Sequence, residues 1–184
     1  MMYASIASYT ANNNAVLPNP AAVDGVIGPV SQLFLKQGFT EQSSEAPFDD
    51  YLSIGIGKSP LVFIYEAQFV ARAAAHDGSI RPDMVLMYPD PDIVSKHTLV
   101  PLTPTGDRVG RLLQTDPQLQ RLAIDYGFRP PSPAAFNTFV KQRGVQVAPQ
   151  LINIIEPPTY ETLEAMITKI ESALHAASAS TPTS

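Results

Sequence analysis

Tyr65 and Glu66 stand side by side where an unbroken apolar run, Leu61 to Ile64, gives out, and Gln68 follows two residues later. Tyr88 closes a second apolar run, Met84 to Met87. A phenol can donate to an oxyanion or other polar ligand, a carboxylate can select a cationic group or a hydroxyl, and an amide can do either. The four make a candidate ligand-binding set. Each also has a plainer reading. A tyrosine at a strand end packs its ring and leaves its hydroxyl wet, and a glutamate at a helix start complements the helix dipole. Gln68 and Tyr88 are also compatible with loop or core packing.

Other chemistries find less material. With no cysteine, disulfides, thiolate metal sites and thiol nucleophiles are excluded. His76, His97 and His175 lie far apart without i, i+4 pairing, so no metal site is expected, and Asp90 and Asp92 lack the rest of a calcium loop. No serine sits in a Gly-x-Ser-x-Gly elbow. Ile54-Gly-Ile-Gly-Lys-Ser59 imitates a phosphate loop, but Leu52 stands where the first glycine belongs, and Pro60 and an apolar run follow where a helix should start. Catalysis and a cofactor are therefore not expected. Arg129 is expected to cap the carbonyls of the helix before it or to pair with Asp125.

The 184 residues suffice for one large domain or two small lobes, and 45% hydrophobic content supports a true core. A net charge of −5 with no basic run argues against a nucleic-acid partner. No apolar stretch approaches the roughly 20 residues of a membrane helix, and no basic-then-apolar leader opens the chain. Eighteen prolines punctuate the elements.

The elements that would position the set follow from spacing. Leu61–Ile64 predicts a short strand buried on both faces, feeding a helix over Ala67–Ala75, so that Tyr65 and Glu66 lie where an α/β sheet places its ligand crevice. Met84–Met87 and His97–Leu102 predict two more strands. Helices are expected over Met2–Thr10, along Val23–Phe34 with a break at Gly28-Pro29 and a cap at Gly38, and from Pro47. Others are expected after Thr105 as N-cap, after Asp116 with Pro117 in the first position, and over Ala134–Gln142. The clearest starts at Thr159, with Leu163, Met166, Ile167, Ile170 and Leu174 on one face. From Ala176 the composition offers too little apolar area to order the chain.

Two stretches carry a resemblance: Gly57-Lys-Ser-Pro-Leu-Val-Phe-Ile-Tyr-Glu66 with its proline-flanked strands, and Leu112-Leu-Gln-Thr-Asp-Pro-Gln-Leu-Gln-Arg-Leu-Ala-Ile-Asp-Tyr-Gly-Phe-Arg-Pro130. Together they resemble the type II periplasmic or extracellular solute-binding superfamily, including its molybdate-binding type. In that family a strand ending in tyrosine sits at the cleft, and a helix ending Tyr-Gly-Phe-Arg-Pro packs in the other lobe. The likeness covers residues 2–130 and matches the later part of such a protein. It implies an α/β lobe with a short central sheet and flanking helices, an incomplete first lobe, a second-lobe core with crossing strands over 2–103 and a helical return over 104–175, and the composition after it predicts a disordered tail over 176–184.

The resemblance also implies a role: the substrate-binding component, or a fragment of one, of an ABC-type uptake system. It would bind a small polar or anionic solute without catalysis and hand it to a membrane permease, in the periplasm or outside the cell. The alternative is a protein-interaction module derived from such a lobe, self-associating through the surface left by the missing lobe. A hydrolase or transferase has no nucleophile, metal or phosphate constellation behind it.

Overall fold

The computed structural model describes residues 1–37, 43–55, 59–151 and 153–179. Its helices are α1 (Met2–Ala11), α2 (Ile27–Gln37), α3 (Glu45–Ile54), α4 (Glu66–Ala75), α5 (Pro104–Thr115), α6 (Pro117–Asp125), α7 (Pro133–Gln142) and α8 (Tyr160–Ala179), with a 3₁₀ turn over Pro20–Gly25. Helix makes up 58% and strand 1%, with no sheet among the described residues. The expected α/β lobe with a central sheet is thus corrected to a helical architecture.

The reason lies in the three apolar runs. Leu61–Tyr65, Met84–Tyr88 and His97–Leu102 form neither helix nor strand, and the β-pairing among the described residues is a single parallel bridge elsewhere, Asp92 to Ile154. Val62, Ile64 and Leu86 turn inward onto a helical core, while Leu61, Phe63, Val85 and Met87 turn out to solvent. Four apolar residues in a row therefore mark one inward face and one outward face, not a strand covered on both. Helices supply the partner that a sheet was expected to supply.

The chain divides into two compact units. The first comprises Met1–Thr40, Pro89–Ser95 and Leu151–Ser184, and the second Glu41–Tyr88 and Lys96–Gln150. In the first, Ala4, Leu17, Val23, Val26, Val30, Leu163, Met166 and Ile170 form the core. Ala4, Ser5 and Ser8 give α1 a buried small-residue face, and each serine hydroxyl is satisfied locally, Ser8 donating to the Ser5 carbonyl at 2.9 Å. Pro29 falls in the first turn of α2, where its missing N–H has no carbonyl to serve, so the break expected at Gly28-Pro29 becomes a helix start. α8 carries Leu163, Met166, Ile170 and Leu174 inward as its spacing requires and continues through Ala179. The expected cap at Gly38 and the last five residues of the tail lie outside the described residues.

In the second unit, Phe48 of α3, Phe69, Val70 and Ala74 of α4, Ile124 of α6 and Phe136, Phe139 and Val140 of α7 make an aromatic-rich core. Asp116 caps α6, accepting from the Gln118 and Leu119 amides at 2.9 and 3.1 Å. Thr103, not the expected Thr105, caps α5, accepting from the Gly106 amide at 3.1 Å, so Pro104 rather than a later residue opens that helix. No residue of α5 is buried, although Val109, Leu112 and Leu113 form an apolar stripe. The phosphate-loop look-alike falls partly outside the described residues, at 56–58.

Candidate ligand-binding site

The site begins with a glycine. α6 ends at Asp125, and Gly127 takes a φ of +83°, a conformation L side chains rarely adopt. A Cβ there would stand 2.3 Å from the Ala67 carbonyl oxygen. The glycine thus turns the chain back and lets it pass directly against the first turn of α4. Two residues later, Arg129 meets Glu66, the first residue of α4.

The contact is bidentate. Arg129 donates from Nε to Glu66 Oε2 at 2.6 Å and from Nη2 to Oε1 at 2.7 Å. Tyr88 donates its hydroxyl to the same Oε1 at 2.5 Å. Arg129 Nη2 also donates to the Ala148 carbonyl at 2.5 Å, and the Ala148 amide donates to the Tyr88 hydroxyl at 3.3 Å. The guanidinium lies over the Phe136 ring, 4.6 Å from its centroid. The Glu66 and Arg129 side chains keep only 18% and 22% of their exposure, so the pair is shielded well beyond an ordinary surface ion pair.

Burial raises the Tyr88 pKa well above the ordinary value of 10.0, and the Glu66 carboxylate that accepts its hydrogen bond raises it further. The hydrogen bond to Glu66 also raises the Arg129 pKa, against a smaller opposing effect of desolvation. Both groups remain donors across the whole physiological range. Three donors converging on one carboxylate suit holding an anion in place.

The four sequence-derived residues thus fall into different roles. Glu66 and Tyr88 are brought together, on Arg129. Gln68 turns back along its own helix, its Oε1 accepting from the Tyr65 amide at 3.0 Å, one half of a capping box. Tyr65, the residue before α4, keeps 47% of its surface exposed. A shallow depression between α6 and α7, lined by Arg121, Ile124, Ala134, Thr138, Phe139 and Gln142, includes none of the four. No family model matches this chain, and neither does any curated protein or solved structure. What the site can bind must follow from its own geometry.

Sequence reasoning misplaced Arg129, which neither caps α6 nor pairs with Asp125. Asp125 is held instead by Arg121, four residues before it on the same helix, at 3.1 Å. That i, i+4 spacing was the available signal: with Asp125 already matched, Arg129 was left to find a distant carboxylate. No group of three or more metal-ligating side chains converges among the described residues. His76 ends α4 in a left-handed conformation, and His97 packs edge-on against Phe128 with ring centroids 5.3 Å apart. No helix among the described residues is long and apolar enough to cross a membrane.

Proposed function

We propose that the chain is a non-catalytic binding component, or part of one, of a solute-uptake system that acts in the periplasm or outside the cell. It takes a small polar or anionic solute at the edge of α4 and passes it to a membrane permease. One observation carries this reading: Arg129 and Tyr88 aim three hydrogen bonds at a single carboxylate head, one residue along the chain from an exposed tyrosine. Shielded guanidinium and phenol donors are the groups that recognise oxyanions elsewhere. Calorimetric titration with carboxylates, amino acids, sulfate, phosphate, molybdate and sugars tests it. Saturable heat from one class, weakened tenfold or more in Tyr65→Ala, is the expected result, and silence across the panel would reject it.

A second reading, a protein-interaction module that self-associates, is favoured by a separate observation. Of the twenty large apolar side chains exposed among the described residues, fifteen belong to the second unit, Val85, Val100 and Leu102 being 74%, 71% and 91% exposed. Apolar exposure of this kind marks a contact surface where the side chains form one contiguous patch. Light scattering across a concentration series separates the readings: a dimer abolished by Leu102→Asp supports the module, and a monomer at every concentration counts against it.

A further inference from the structure

We propose that Arg129 and Tyr88 form a carboxylate receptor which Glu66 fills as a built-in ligand, so that the carboxylate of a small monocarboxylic solute can take Glu66's place. This rests on reading the α4 edge as the ligand site, and it adds the class of solute and the reason an empty site is not seen there. The geometry is that of a completed recognition event: a planar fork facing a planar carboxylate through two bonds, a hydroxyl closing on one oxygen, and a ring behind the guanidinium. The receptor is also anchored independently of its occupant. Arg129 is fastened to the Ala148 carbonyl, and Tyr88 accepts from the Ala148 amide, so both donors keep their places when Glu66 leaves.

Glu66 is poised to be the mobile member. It is the first residue of α4, where its amide has no intrahelical partner, and its carboxylate is held by Arg129 and Tyr88. An external carboxylate must outcompete a tethered one, whose effective concentration is set by a side chain only a few bonds long. The native chain is therefore expected to respond weakly to simple carboxylates and to favour a solute that gains further contacts, Tyr65 being the exposed neighbour.

The test removes the internal ligand and returns it from solution. Glu66→Ala deletes the side chain beyond Cβ, and acetate supplies the same methyl carbon and carboxylate. In the full chain, Glu66→Ala is expected to lose several degrees of melting temperature. Acetate is expected to restore at least half of the loss saturably, with a midpoint on the order of 1 to 50 mM as befits a four-atom ligand. Formate is expected to follow acetate, while chloride and sulfate at matched ionic strength restore little. The Glu66→Ala/Arg129→Met double variant is expected to gain nothing, and adding Tyr88→Phe to Glu66→Ala to weaken rescue several-fold. Equal stabilisation by chloride or sulfate, or rescue that survives loss of Arg129, would overturn the proposal. Should Glu66→Ala not fold, Glu66→Gln keeps the shape with a weaker acceptor. Acetate must then shift the Arg129 Nε–H resonance saturably, and an unmoved resonance would overturn the proposal equally. Rescue by acetate together with silence in calorimetry of the native chain would leave the receptor standing and reject the uptake reading.

Discussion

The two units spend their polar groups differently. In the first, buried hydroxyls bond within their own helix or to the residue just before it: Ser8 to Ser5, Ser31 to Ile27 at 2.7 Å, Thr162 with Thr159 at 3.0 Å. Side-chain pairs between its distant residues, such as Lys169 with Asp24 and Asn153 with Asp90, lie in the open. In the second, the shielded polar contacts join residues 22, 63 and 60 positions apart: Tyr88 to Glu66, Arg129 to Glu66, Ala148 to Tyr88. Satisfying a hydroxyl locally leaves a helix free to pack by shape alone. Burying a carboxylate against a guanidinium fixes one arrangement of several segments and concentrates hydrogen-bonding chemistry at one place. The first unit satisfies its buried hydroxyls locally, and the second joins distant segments through a shielded charged pair.

The largest effect is expected within the second unit, at two of its glycines. Gly127→Ala must place a Cβ against the Ala67 carbonyl at a positive φ, and is expected to cost about 3 kcal/mol or more. Gly144→Ala, at a φ of +66° with nothing within 4 Å of its Cβ, should cost only about 1 to 2 kcal/mol. Urea unfolding of both variants checks the difference, and equal costs would mean that the approach to Ala67 does not constrain the chain.

Next in size are the ion pairs. Arg129→Met strands a shielded carboxylate and is expected to destabilise by about 2 to 4 kcal/mol. Lys169→Met, whose ammonium and its Asp24 partner are 41% and 72% exposed, should cost under about 1 kcal/mol and less still in high salt. Comparable losses in chemical denaturation would erase the distinction between the units.

The smallest effect is in pH. The folded-state pKa of Tyr88 lies above its unfolded value, so its contribution to stability is fully present below pH 10.0, where the phenol is protonated in both states. It is lost as pH rises from there through the folded value, because the unfolded chain gives up its proton first. Between pH 9 and pH 11 the urea midpoint of the native chain should therefore fall further than that of Tyr88→Phe. Parallel declines would show that the Tyr88 hydroxyl is not held by Glu66.

How much of this the residues announced depended on how far each signal reaches. The Asp116-Pro117 start of α6 and the Leu163–Leu174 face of α8 are written within a few consecutive turns, and both form as their spacing requires. Gln68 three residues after Tyr65 has capping-box spacing, hidden only because tyrosine is an unusual residue to precede such a helix. Leu61–Ile64 states that the segment is apolar but not what will lie beside it, and helices took the place assigned to neighbouring strands. Arg129 meets its carboxylate 63 residues upstream, a pairing with no local trace beyond Asp125's having a nearer partner.

The most direct test of the Glu66–Arg129 pairing is a double-mutant cycle of Glu66→Gln and Arg129→Met followed by urea unfolding. If the carboxylate and guanidinium are each other's partners, the double variant should be more stable than the sum of the two losses allows, with a coupling of at least about 1.5 kcal/mol. Additive losses would contradict the pairing and, with it, the receptor built upon it.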